Sequence, residues 1–456
     1  MSRRDCLLIG STGFAGLTLT DCLRAEALAG RTSSARSIIN IHLDGGAPQL
    51  DTIDPKPLAP TEIRGEFAAI DTALPGLQIS EMLPELAAIA DRFAWIRSLV
   101  GSAGAHQAFQ CQSGFEDKDL QSLGGRPALG CVVTKLLGSA SDPTPTFVDL
   151  MQGRPLVRNS ARPGFLGPSV QPFRPDLSQL FPRELEPGMK GELARRGEEH
   201  QTKLTLHAAL TPSRLTTRRQ LLVDLDGFRR DVDGSGMMEA MDRFGDQAVS
   251  ILTSGRLAEA LDPQREDPRA MERYRLQSST AAVASATSDG PNATMKFLLA
   301  RRLIEAGVRC VSLSISDFDT HSNNFPRMRT LLPVLDHGLS ALVTDLEERG
   351  MLDQVLIVVW GEFGRTPRVD AKSGGRHHWP QVGPALIAGG GLRMGQVIGV
   401  TDRDAGTVLS RPVHYKDVFA TMYRHVGLDP HRTTLIDPQG RPQHLLDRGE
   451  ALRELI

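Results

Sequence analysis

The sequence predicts an α/β protein in which helices cover both faces of a mainly parallel central sheet, and three observations predict it. A β-rich apolar run (Val308, Cys310, Val311, Leu313, Ile315) empties within six residues into Asp317, Asp319 and His321. Such an exit is how an open α/β sheet builds a site, because ligands collect outside the carboxyl ends of its strands. Gln354-Val-Leu-Ile-Val-Val-Trp360 is nearly continuous in apolar residues, the pattern of a strand buried on both faces. Segments with helical spacing lie between these runs, and that alternation argues for parallel strands joined through covering helices.

Length and composition bound the rest. A chain of 456 residues can bury a large core, and its 40% hydrophobic, 23% charged composition is that of an ordinary globular protein. Fifty-two basic residues against 54 acidic ones leave a formal charge of −2. No global electrostatic attraction towards nucleic acid or an anionic membrane follows from that balance, so no nucleic-acid partner is expected.

The first 29 residues read as an export signal. Ser2-Arg3-Arg4-Asp5-Cys6-Leu7-Leu8 resembles a twin-arginine motif, a weakly apolar run extends to Leu19, and Ala27-Leu28-Ala29 offers a small-x-small cleavage site. Gly10, Gly13 and Gly16 interrupt the run, which is too short to span a membrane as a stable helix. An ordinary N-terminal helix with a basic start is the other reading. Cys22 suggests lipidation, but Asp21 stands where a small residue is wanted. The expected organisation is a signal over 1–29 and a single domain over 30–456, exported to the periplasm or beyond. Cleavage would leave Cys111, Cys131 and Cys310. Their spacing gives neither a disulfide framework nor a metal knuckle, and buried thiols are the default beside a Cys111 to Cys131 bridge.

In chain order, Ser37 to Leu43 reads as the first core strand and breaks into Asp44-Gly45-Gly46. Asp44 and Asp51 become candidate metal ligands, whereas Asp54 before Pro55 organises a turn. Residues 79 to 93 carry helical spacing, and Ala94 to Val100 forms a second strand that opens into Gly101 to His106. His106 is a candidate catalytic residue or a loop cap; Ser102 and Ser113 show no base beside them. The Pro- and Gly-rich stretch from Arg126 to Pro187 is expected to wrap the surface. Residues 188–290 read as a helical insertion or cap, with Ser278 to Asp289 a small polar linker. Asn292 to Gly307 and Phe325 to Arg349 are helices, the second carrying His337 as a packing residue. The exit of the Gln354 strand supplies Glu362 and Arg365, then His377 and His378, before Pro384 to Gly391 closes the core as another strand.

Asp44, Asp51, Asp319, His321, Glu362, His377 and His378 thus cluster at strand ends and are read as metal ligands. Mixed carboxylate and imidazole donors suit zinc, manganese, calcium or magnesium, with imidazole favouring zinc. Arg365 offers a planar fork for a bidentate grip on phosphate or sulfate, or a structural salt bridge.

Several long motifs then resemble one family. LDGGAPQLDTIDPKPLAP with IRGEF (within 41–67), PGFLGP (163–168), LLARRLIEAGVR (298–309), FDTHSNNF (318–325), LLPVLDHGLSALVTDLEERGMLD (331–353), GEFGRTPR (361–368), GRHHWP (375–380) and AGGGLRMGQVIGVTD (388–402) look like the domain of unknown function 1501 family. The resemblance covers nearly the whole chain and is loosest over 188–290. It implies an alkaline-phosphatase-like three-layer sandwich, an exported location and, by analogy, metal-assisted hydrolysis of phosphate or sulfate esters on a small molecule or polysaccharide. Asp319 and His321 match the family's DTH, Glu362 its GEFGRTP, and His378 the His before Trp-Pro. The chain departs at His377, where Asp is more usual, at Ala47 to Gln49, where Pro-Ser-His is usual, and at Gly101 to His106, where the loop is usually richer in His. Two functions stay open: a metallohydrolase, or a non-catalytic exported protein that keeps the fold. No Cys-x-Pro-x-Arg sulfatase nucleophile is present.

Overall fold

Strand β1 (Ser37–Leu43) is buried along all seven residues and lies in the middle of an eight-stranded sheet. The structure is a computed structural model and describes residues 36–151, 161–175, 177, 180–181, 237–277, 290 and 292–456. The expected export signal, the Ser278 to Asp289 linker and the first part of the 188–290 insertion lie outside them.

With β2 (Phe93–Val100), β3 (Phe147–Asp149), β4 (Cys310–Ile315), β5 (Val355–Trp360), β6 (Gly383–Gly389), β7 (Gln396–Ile398) and β8 (Val413–His414), the order across the sheet is β7-β2-β6-β5-β1-β4-β3, with β8 beside β2. Strand β1 pairs in parallel with β4 through Ile38↔Cys310 to Leu43↔Ile315, and with β5 through Ser37↔Val355 to His42↔Trp360. These registers bring the exits of β1, β4 and β5 to one rim. Strand β6 alone runs against its neighbours β5 and β2.

Alternation along β1 separates two apolar layers. Ile39, Ile41 and Leu43 join the cluster built on α3 (Met295–Glu305) and α4 (Asn324–Glu348), while Ile38 joins the one built on α1 (Leu129–Leu137) and α5 (Tyr415–His425). Helix α2 (Met237–Ser254) and the short helix Arg256–Leu261 belong to the first side, where Ile251, Leu257 and Ala260 pack with α3. The fold class expected from the sequence is therefore the one observed. Among the described residues no helix is long and apolar enough to cross a membrane.

Local expectations shift in three places. The helical pattern over 79–93 resolves into a strand at Gln78–Ser80, a short helix at Pro84–Ala88 and a 3-10 turn at Ala90–Arg92. Pro84 opens the short helix, because proline is favoured in a helix's first turn and disfavoured further in, so the helix cannot readily extend back to Ile79. The stretch after Arg126 does more than wrap the surface, because Leu129–Leu137 is a core helix and Phe147–Asp149 is the outermost strand, paired in parallel with β4. Finally, His377 and His378 do not leave a strand's carboxyl end. They enter β6, and because β6 is antiparallel its start lies on the rim where β1, β4 and β5 finish. The three described cysteines are buried free thiols.

Candidate metal centre

The rim of β1, β4 and β5 gathers two adjoining groups of ligand-type side chains. His106, Asp319, His321 and His378 place one donor atom each within 4.8 Å of one another, and so do His42, Asp44 and Glu362. The first group is partly open to solvent and the second is buried.

Asp319 is the hub of the open group. Its Oδ1 lies 3.1 Å from His321 Nε2, 3.5 Å from His378 Nε2 and 2.6 Å from Arg365 Nη2; its Oδ2 lies 3.3 Å from His106 Nε2. The loop that carries it bends sharply, with Asp317 at φ +76°, a region that costs a non-glycine residue energy and marks functional loops. Gly45, at φ +102°, lets the β1 exit pass against this loop; a Cβ there would come within 2.3 Å of the Asp319 backbone nitrogen.

His378 arrives by a two-residue ribbon, Gly364–Arg365 paired antiparallel with His378–Trp379, which sets His378 opposite Arg365. Phe363 stacks on its ring with centroids 4.1 Å apart, and His106 meets it edge-on at 4.5 Å. His106 also bridges to the buried group, its Nδ1 standing 3.1 Å from Glu362 Oε1. Glu362 then accepts from the Gly45 N–H at 3.1 Å and lies 2.9 Å from His42 Nε2.

Electrostatics follow from this packing. Hydrogen bonds to Asp319 and Glu362 raise the His106 imidazole to about 9. Burial pushes the Asp319 and Glu362 carboxyls up, but their imidazole neighbours, and for Asp319 also Arg365, outweigh it and hold both below the usual carboxylate range. Burial pulls His42 down, yet Glu362 raises it overall. His321 is lowered, by burial first and then by Arg365 and the neighbouring imidazoles.

A dication fits this donor set. Three imidazoles and a carboxylate are donors that zinc accepts. His42 Nδ1 is moreover buried without a hydrogen-bond partner, a condition that calls for an explanation such as an ion.

The sequence candidates fall into three sets. Asp44, Asp319, His321, Glu362, His378 and His106 are brought together. Asp51 is not: fully buried, it receives Arg376 through Nε at 2.9 Å and Nη2 at 3.0 Å, and Asn324 Nδ2 at 2.8 Å. His377 stands one layer outside, with Nδ1 2.9 Å from His321 Nδ1. Arg365 is fully buried and donates to Asp319 and to the carbonyls of Gly45, Gly46 and Arg376, so its fork faces the protein. Sequence reasoning missed His42, although Asn40 and His42 were legible as polar residues two apart on one side of a mainly apolar strand. It also missed Phe363, whose stacking role has no sequence signal.

Comparison with solved structures finds slight likenesses. A sulfatase from Pseudoalteromonas sp. is 12% identical, with 89% of this chain and 70% of that one covered at a TM-score of 0.36. A phosphonate monoester hydrolase from Silicibacter pomeroyi is 13% identical, covering 91% and 75% at 0.33. The C-terminal periplasmic domain of EcEptC from Escherichia coli, solved with zinc, is 11% identical, covering 93% of each chain at 0.34. At those values no reaction carries over to this chain. No curated relative matches. The sequence itself is decisive about kinship: residues 35–456 match the model of the protein of unknown function family DUF1501, and the chain belongs to that family.

Proposed function

We propose that this protein is an exported, metal-dependent hydrolase of phosphate or sulfate esters, acting on a small molecule or a polysaccharide. The observation that carries the reading is the convergence of His106, Asp319, His321 and His378 within 4.8 Å on one rim of the sheet, backed by buried Glu362 and His42. Zinc is the preferred ion for these donors.

Asp319, His321 and His378 would hold the ion. When bound, such an ion would supply Lewis-acid polarisation of an ester oxygen and a lowered pKa for a water molecule. His106, part-exposed and backed by Glu362, would take that water's proton once the ion's charge has displaced its own. Arg365 fixes Asp319 by a direct charge-assisted bond. Export rests on the twin-arginine-like start, Ser2-Arg3-Arg4.

A second reading, a non-catalytic protein that retains the ion, is favoured by the way nearby hydroxyls are used. Ser102 Oγ donates to the Glu362 carbonyl at 2.5 Å, Thr320 Oγ1 to Asn324 Oδ1 at 2.7 Å and Ser113 Oγ to the Phe109 carbonyl at 3.0 Å. Elemental analysis of purified protein, then aryl phosphates and sulfates with wild type and Asp319→Ala, separates the two. Turnover abolished in the variant supports the hydrolase; a tightly held ion with no turnover supports the binding protein; neither ion nor turnover overturns both.

A further inference from the structure

His321 is held from two sides. Its Nε2 faces inward, 3.1 Å from Asp319 Oδ1 and 3.0 Å from His378 Nε2. Its Nδ1 faces outward onto His377 Nδ1 at 2.9 Å. Two ring nitrogens at that separation share one proton, so one donates and the other accepts. Beyond His377, its Nε2 lies 3.7 Å from Asp370 Oδ2.

The bracket that presents His377 is built independently of the rings. The Thr366 N–H donates to the His377 carbonyl at 2.9 Å, and the His377 N–H returns to Thr366 Oγ1 at 3.0 Å. Asp370 Oδ1 accepts from the N–H groups of Lys372 and Ser373 at 2.9 and 2.7 Å, leaving Oδ2 towards His377. Backbone bonds from Asn323 to Ser373, Asn324 to Gly374 and Arg376 to Thr320 then lock this loop onto the one carrying His321. Gly375 permits the contact, since a Cβ there would meet the His321 carbonyl oxygen at 2.1 Å.

We propose that His377 and Asp370 are positioning residues: His377 Nδ1 accepts the Nδ1–H of His321, which fixes His321 as the tautomer whose Nε2 lone pair points at the metal position. His377 then carries its own proton on Nε2, on the side of Asp370. Histidines that ligate metals usually donate their second ring N–H to a carboxylate, a backbone carbonyl or water, a place His377 Nδ1 takes here, and losing such a partner typically weakens metal affinity about 10- to 100-fold. The chain thus reaches outward as carboxylate, imidazole, imidazole and ion. This inference rests on the metal reading given under Proposed function, with His321 as a ligand through Nε2.

The test is cobalt(II) binding to the full-length protein, followed by the visible absorption of the bound ion and by titration, in wild type, His321→Ala, His377→Ala, His377→Asn and Asp370→Asn. Asn sets a carbonyl oxygen where His377 Nδ1 stands and keeps the acceptor. His377→Ala is expected to weaken cobalt binding by about 10- to 100-fold and to alter the absorption band. His377→Asn is expected to restore both, and Asp370→Asn to fall between. Unfolding temperatures of the metal-free variants serve as the folding check and are expected to match wild type. Undiminished cobalt affinity in His377→Ala, alongside its loss in His321→Ala, overturns the positioning role and leaves the metal site standing. Equal losses in His377→Ala and His377→Asn also overturn it. If wild type takes up no cobalt, or His321→Ala binds as wild type does, the metal reading falls and this inference with it.

Discussion

His42 Nε2 lies 2.9 Å from Glu362 Oε2, with both side chains almost fully buried beneath the rim of the sheet. Removing one member of such a pair leaves the other charge without compensation, at a cost of about 3–5 kcal/mol. His42→Ala is therefore expected to lower the unfolding free energy of the metal-free protein by about that amount, measured by urea denaturation at pH 6. His42 is raised above its ordinary 6.5, so its contribution is complete below 6.5 and lost as pH rises through the folded value. Glu362 is lowered from 4.5, so its contribution is complete above 4.5 and lost as pH falls. The difference between wild type and variant should then be greatest between pH 4.5 and 6.5. A difference flat from pH 3 to 10 would show that the pair contributes no charge interaction.

The imidazole that joins the two groups gives a metal-dependent pH profile. His106 is raised to about 9 by Asp319 and Glu362. In metal-free protein its stabilisation is fully present below pH 6.5 and disappears as pH climbs through about 9. A dication at Asp319 competes with that proton. Zinc affinity should rise by about tenfold per pH unit between 6.5 and 9, with proton release detected by calorimetry in two buffers of different ionisation enthalpy. Affinity independent of pH over that range would contradict the arrangement.

Asp51 and Arg376 form a separate buried pair, bidentate and with no exposed surface on either side chain. Arg376 also donates to the carbonyls of Ile63 and Thr366, tying three loops together. Asp51→Ala should cost about 3–5 kcal/mol of stability and leave the zinc stoichiometry of the folded fraction unchanged. Loss of zinc at full stability would instead make Asp51 a ligand.

Gly45 is the point where the β1 exit touches the Asp319 loop, at a φ that L side chains rarely adopt. Gly45→Ala must either displace Asp319 or strain β1's end, at about 1–3 kcal/mol for the backbone alone. The expected outcome is lowered stability together with weakened zinc binding, because one substitution moves both. Thermal unfolding with and without zinc reads the two effects separately, and a variant indistinguishable from wild type in both would show that this contact is slack.

Much of this site was legible without coordinates. Apolar runs at 37–43, 308–315 and 354–360 announce buried strands because side-chain periodicity is a local property. The polar residues just beyond them, Asp44, Asp319 and Glu362, follow from the habit of parallel sheets to collect ligands at one rim. What lay beyond the sequence is which charge meets which. Asp51 and Asp319 look alike as loop carboxylates, yet Arg376 closes over one and three imidazoles surround the other. Likewise, His378 reaches the rim because β6 alone runs antiparallel, and His42 becomes a partner because a buried strand face has no water to offer it. The sequence by itself determined the three central strands, the helices on either side of the Asp319 loop, and the family. Tertiary structure decided strand direction and pairing, since burial energy and charge compensation are properties of neighbours in space, and chain order does not contain them.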